Sequence, residues 1–201
     1  DFYGFGSAWY YDLTIAVRPV YPIALRIPGF FKKVNPLWPP YLMRDCARIA
    51  EMRGLPFAWP SPDPVVQDLV TMDVASEQPY IHRLTRLGVA AQRRGRGLEF
   101  MHEVGKLTFG GVRAWHDGEH LAHAAERAGL DLSDLDAAIG ADPADFEAEV
   151  ERNEAAQRAA GHWGVPLMVF RGEPFFGQDR IDVLLWRMQR VGLQRRTGNL
   201  P

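Results

Sequence analysis

Few residue types are available for chemistry in this chain, because it holds a single cysteine, Cys46, and 6 histidines. Three of the histidines cluster in His116-Asp117-Gly118-Glu119-His120-Leu121-Ala122-His123. Helical spacing could align their imidazoles, but the order is not HExxH and Gly118 weakens the helix required. The segment reads as a solvated helix start rather than a metal site. Ser7 follows Gly4-Phe5-Gly6 and reads on its own as an N-cap serine. Toward the other end, Val165-Pro166 sits just after Gly161 and Gly164 and just before an apolar run. The flanking glycines and the hairpin that follows predict a cis peptide bond there. Gln178 and Asp179 open the last apolar-periodic segment, where free backbone N–H groups suit a carboxylate and Asp179 suits a cap. Arg180 reads as an ion-pair partner. Phe5, Trp9, Tyr10, Tyr11, Trp38, Trp163 and Phe176 are material for core packing and for an apolar pocket alike.

The composition narrows the classes of function. Of 201 residues, 47% are hydrophobic and 24% charged, the proportions of a folded globular chain. Lys plus Arg is 23 and Asp plus Glu is 25, a net charge of −2. That balance gives no general electrostatic drive toward nucleic acid or an anionic membrane. Arg93-Arg94-Gly95-Arg96 reads as a solvated basic run. The lone cysteine excludes an intrachain disulfide, a zinc knuckle and a CxxC redox pair, and at its helical apolar position it reads as a small buried hydrophobe. No apolar run reaches the roughly 18 residues that span a bilayer, and no basic-then-apolar signal peptide opens the sequence.

The elements that must position these residues follow from periodicity. Strands are predicted at Asp1–Phe5 and at Leu13–Val17, the second β-branched and apolar. Prolines from Pro19 to Pro40 punctuate a loop-rich stretch. A helix is predicted from about Tyr41, with Leu42, Asp45, Cys46, Ile49 and Met52 at helical spacing and Gly54 as its stop. After a Pro-rich passage from Pro56 to Pro64, the pattern is helical to Gly161. Apolar stripes run through Val66, Leu69 and Val70, through Ile81, Leu84 and Leu87, and through Leu98, Met101, Val104 and Leu107. Asp142-Pro143 marks a helix start. Leu167–Phe170, a turn at Arg171–Pro174 and Phe175-Phe176 predict a hairpin. A last helix from about Asp179 presents Ile181, Leu184, Leu185, Met188 and Val191 on one face. The order β, β, helical block, β, β, α predicts a small sheet interrupted by an all-helical insertion.

Three segments together carry a resemblance. Phe2-Tyr3-Gly4-Phe5-Gly6-Ser7-Ala8-Trp9 resembles the opening strand and serine turn of the 2-hydroxychromene-2-carboxylate isomerases and kappa-class glutathione transferases. Tyr41–Ala50, with Gly54, Pro56 and Pro60, is similar to their first insertion helix. Gly161-His162-Trp163-Gly164-Val165-Pro166 and Gly177-Gln178-Asp179-Arg180-Ile181 are similar to their Gly-Val-Pro and Gly-x-Asp-Arg signatures. The resemblance implies an α/β, thioredoxin-like fold of DsbA type with a large all-helical insertion domain. The thioredoxin-like part would be 1–34 with 161–201, and the insertion 35–160.

The same resemblance implies glutathione as cofactor, no metal, a small electrophilic or aromatic substrate, a role in aromatic degradation and a cytoplasmic setting; a homodimer is left open. In such a fold Ser7 would lie at the start of the first helix, where its hydroxyl could lower the pKa of a glutathione thiolate. Val165 and Pro166 would form the loop on which glutathione lies as an added strand. Gln178 and Asp179 would hold its γ-glutamyl end. Trp9, Tyr10 and Trp38 would line the substrate pocket.

Three departures accompany the resemblance. Ala8 stands where the family has proline, and Trp38 where it often has lysine. Only Ala8 to Asp12 separate Ser7 from the predicted strand at Leu13, where the family has a whole helix. Parallel strands need a crossover of a dozen or more residues, so a spatial break near Tyr10–Asp12 is expected. The implied activity is that of a glutathione-dependent isomerase or transferase. The alternatives are a non-catalytic thioredoxin-fold binding protein and a DsbA-like oxidoreductase without its CxxC.

Overall fold

The computed structural model describes residues 11–195. Along it run α1 (Ile23–Arg26), α2 (Phe30–Lys33), α3 (Trp38–Met52), β1 (Gln67–Asp68), β2 (Asp73–Val74), α4 (Ile81–Arg93) and α5 (Gly97–Phe109). They are followed by α6 (His120–Arg127), α7 (Leu132–Ala141), α8 (Pro143–Ala159), β3 (Leu167–Phe170), β4 (Glu173–Phe176) and α9 (Ile181–Gln189). A 3-10 turn at Gln178–Arg180 leads into α9.

The apolar stripes of α4 to α8 close on one core. Leu87, Val89, Leu135 and Val150 are fully buried there, with Phe100, Trp115 and Phe146 packed beside them. Tyr21, from the segment before α1, belongs to the same core. Two aspartates delimit the last helices. Asp131 accepts from the Asp134 N–H at the start of α7, and Asp142 accepts from the Asp145 N–H at the start of α8. Pro143 follows in the first turn of α8, where its missing N–H costs no hydrogen bond. Trp115 joins the core to the Pro-rich passage, its indole Nε1–H donating to the Pro62 carbonyl at 2.7 Å.

β3 and β4 form an antiparallel hairpin in the register Leu167↔Phe176 and Phe170↔Glu173. It turns at Arg171-Gly172, both at positive φ. Met168 and Phe175 are its buried pair. α9 lies after the hairpin and is tied to it by Arg187, whose Nε donates to Glu173 Oε2 at 2.7 Å. The helix periodicity read for this segment is present, but no α9 residue is fully buried and Trp186 is 56% exposed.

Several expectations are corrected. The helix placed from Tyr41 begins at Trp38, because Pro39 and Pro40 occupy first-turn positions that need no N–H. A short hairpin, β1 with β2, interrupts the stretch read as helical; Gln78 holds it by bonds to the Val66 N–H and carbonyl. Leu13–Val17 forms no strand among the described residues. Its Val17 N–H donates to Gln92 Oε1 of α4 at 2.8 Å. Cys46 is half-buried rather than buried, and burial pushes its thiol pKa up.

The segment after His116 is the solvated helix start expected of it, with Asp117 to His120 exposed and α6 beginning at His120, whereas His116 itself is half-buried. It packs against Tyr80 and Trp115, with ring centroids at 4.7 and 5.7 Å. The expected break does not fall between Tyr11 and Leu13, where the Leu13 N–H donates to the Tyr11 carbonyl at 3.0 Å. Tyr11 also bridges to Arg195. The strand predicted at Asp1–Phe5, together with Ser7, Trp9 and Tyr10, lies outside the described residues.

Candidate functional site

The loop between α8 and β3 carries Val165 and Pro166, and their peptide bond is cis. Neighbouring groups hold four of the backbone polar groups of His162–Pro166. The Gly164 N–H donates to His162 Nδ1 at 2.9 Å. The Gly164 carbonyl accepts from Gln157 Nε2 at 2.7 Å, and the Trp163 carbonyl from the Arg26 guanidinium at 3.0 Å. The Pro166 carbonyl accepts from the Gly177 N–H at 3.0 Å, which extends the β3–β4 ladder by one rung. The Val165 N–H and carbonyl, in contrast, have no partner among the described residues, and Val165 is 53% exposed. An exposed, unpaired stretch of backbone beside a strand end is where an extended peptide can add.

Gly164 is required by packing. A Cβ there would lie 2.3 Å from the Phe176 ring. That ring stacks on His162 with centroids 3.9 Å apart and an interplanar angle of 21°. His162 in turn stacks near Trp163 at 5.3 Å. Hence the loop folds under an aromatic cover supplied partly by β4.

Gln178 and Asp179 stand at the turn that opens α9, one residue past the rung at Gly177. Asp179 is exposed, and its Oδ2 accepts from Arg180 at 2.8 Å, the ion pair expected of Arg180. The ladder from Pro166 through Gly177 therefore brings the Val165 loop and the Gln178-Asp179 turn to the same end of the hairpin.

Trp38 reaches this region through rings that sequence reasoning passed over. Trp38 stacks on Phe31 at 6.4 Å, Phe31 meets Phe30 edge-on at 5.2 Å, and Phe30 lies 5.3 Å from Trp163. The Phe30-Phe31 pair after Gly29, at φ 69°, was the available signal. Tyr11 is buried and its hydroxyl accepts from Gln189 of α9 at 3.5 Å, so it packs under α9. His120 and His123 lie on α6 and His116 in the turn before it; among the described residues no group of three His, Cys, Asp or Glu could hold a metal ion.

Two further residues behind the loop were also missed. Arg26 donates to the Tyr21 carbonyl at 2.6 Å and to Gln157 Oε1 at 2.7 Å, besides Trp163. Burial pulls its guanidinium pKa below the ordinary value, against the opposing pull of Glu154. Arg26 carries no periodic signal toward Gln157 and Trp163, 131 and 137 positions away, and Gln157 binds a loop carbonyl beyond the end of its own helix.

Comparison with known proteins places the fold. Residues 12–189 match the profile of the DSBA-like thioredoxin domain. No curated protein is significantly similar in sequence. Among solved structures, a 2-hydroxychromene-2-carboxylate isomerase is similar in fold, with a TM-score of 0.61 and 19% identity over 92% of this chain and 84% of that one.

Proposed function

The chain belongs to the DSBA-like thioredoxin domain family, and on that premise we propose that it is a glutathione-dependent isomerase or transferase acting on an electrophilic aromatic or unsaturated substrate. The observation that carries this reading is the Val165 backbone, unpaired among the described residues and exposed at the end of a hairpin. The 2-hydroxychromene-2-carboxylate isomerase is similar in fold, and its activity lends the chemical direction. When bound, glutathione supplies a thiolate that adds to an electrophilic carbon, and its later loss after bond rotation or ring opening gives isomerisation, whereas its retention gives a conjugate.

The residues of this chain fit that cofactor. Val165 offers one N–H and one carbonyl, the pair that a peptide strand needs. Gln178 and Asp179 offer N–H groups and a carboxylate to a zwitterionic γ-glutamyl end. The Ser7 hydroxyl donates to sulfur and favours its ionised form, so the nucleophile need not be a protein cysteine. The rings of Trp38, Phe30, Phe31 and Trp163 offer flat apolar area to a planar acceptor; Trp9 and Tyr10 extend it in this reading. The setting is cytoplasmic, with small molecules rather than nucleic acid or membrane as partners.

Ser7→Ala tests the chemistry. Thiolate absorbance, titrated against pH with bound glutathione, is expected to give a raised pKa in the variant, with lower turnover and an unchanged melting temperature. An equal pKa in both proteins removes Ser7 from the mechanism. Saturable glutathione binding without turnover of any electrophile favours a non-catalytic binding protein.

A further inference from the structure

We propose that Arg26 and Gln157 are positioning residues that hold the His162–Pro166 loop so that the Val165 backbone stays open to a peptide ligand. This rests on the reading of that loop as the glutathione site, but the clamp is visible without the ligand. Gln157 is buried, 8% exposed, on the inner side of α8. Its amide is used at both ends, with Nε2 donating to the Gly164 carbonyl at 2.7 Å and Oε1 accepting from Arg26 at 2.7 Å. The same guanidinium donates to the Trp163 carbonyl at 3.0 Å and to the Tyr21 carbonyl at 2.6 Å.

Two consecutive loop carbonyls, of Trp163 and Gly164, are thereby turned inward and fixed. A peptide unit is planar, so fixing the Gly164 carbonyl also fixes the Val165 N–H, which belongs to the same unit. The next rigid point is the Pro166 carbonyl, bonded to Gly177. Val165 is therefore held from both sides while making no bond of its own among the described residues. Loss of the clamp would free the Gly164–Val165 peptide unit to rotate and would leave a buried carbonyl unsatisfied.

Arg26 adds reach. Through it the loop is tied to the segment that enters the helical core, since Tyr21 is a core residue whose hydroxyl donates to Glu147 Oε2 at 2.7 Å. Both ends of α8 therefore bear on the site, Glu147 through Tyr21 and Gln157 directly.

Three variants separate positioning from folding. Gln157→Met removes both bonds at similar volume. Gln157→Glu keeps an acceptor for Arg26 and loses the donor to Gly164. Arg26→Lys keeps the charge and loses the planar fork. Amide hydrogen exchange is followed at Gly164, the loop N–H that is hydrogen-bonded, to His162 Nδ1, and, as a control, in α4 and α5. Exchange of this loop amide is expected to rise about tenfold or more in the glutamine variants, with α4 and α5 unchanged. Glutathione affinity, by calorimetry, is expected to fall about ten- to a hundredfold. In turnover the KM for glutathione rises while kcat at saturation holds, since neither residue touches sulfur. Arg26→Lys is expected to fall between wild type and the glutamine variants.

Unchanged loop exchange and unchanged affinity in folded Gln157→Glu or Arg26→Lys protein overturn the proposal, as does a uniform rise in exchange that includes α4 and α5. If the wild-type protein itself binds no glutathione, the proposed function fails. The exchange comparison then decides the clamp alone, with faster loop exchange supporting it and unchanged exchange overturning it.

Discussion

Gly164 shows how one residue type sets the local geometry. Its place under the Phe176 ring leaves no room for a methyl group, and the ring in turn covers His162. Gly164→Ala must push that ring aside, an overpacking cost of about 1–3 kcal/mol. A lowered melting temperature together with weaker glutathione binding is expected; an unchanged melting temperature would show that Phe176 yields freely. At this scale the sequence was legible where a residue announces itself. Val165-Pro166 between glycines and a strand was readable, and the bond is cis. Asp179 and Arg180 were readable as neighbours at a turn, and they pair at 2.8 Å. Arg26 and Gln157 were not, because a side chain bonded to a loop carbonyl leaves no periodic pattern in its own neighbourhood, whether that carbonyl is seven positions away, as for Gln157, or 137, as for Arg26.

Helices carried most of what the sequence disclosed about the fold, since an amphipathic stripe and a capping aspartate are both local. Asp142 is the clearest case, ending α7 and capping α8 through the Asp145 N–H at 3.1 Å. Asp142→Ala is expected to cost about 0.5–2 kcal/mol, read as a lower urea midpoint, and Asp142→Asn much less. Equal losses in the two variants would show that charge rather than the cap bond matters. Strands were less legible. Leu13–Val17 has the composition of a strand, yet pairing is decided by what lies alongside, and Gln92 supplies the bond to Val17. The β1–β2 hairpin went unread because its strands, Gln67–Asp68 and Asp73–Val74, are too short to show alternation.

Across the whole molecule, the helical core is closed and charge-braced, while the hairpin end and α3 keep apolar area open. Leu37, Trp38, Tyr41, Met52, Trp163 and Trp186 are all exposed. Among the braces, Glu103 of α5 accepts from Arg127 of α6 at 2.6 Å and from Lys106 at 2.9 Å. Burial alone would raise its carboxyl pKa, but these cations outweigh burial and hold it below the ordinary value. The folded state therefore binds this proton less readily than the unfolded chain does. The stabilisation is complete above the unfolded pKa and is lost as pH falls through the lower, folded one. Glu103→Gln is expected to melt lower than wild type at neutral pH, and the gap is expected to close as pH falls into the acid range. A gap that stays constant with pH would show that the hydrogen bonds alone, not the charge, stabilise the helix pair. None of these braces bears directly on glutathione, which is the central claim. Its most direct test is a glutathione titration followed by calorimetry and by the Val165 amide resonance. Saturable heat with a large shift at Val165 is predicted, whereas no heat and no shift up to millimolar glutathione would contradict the account.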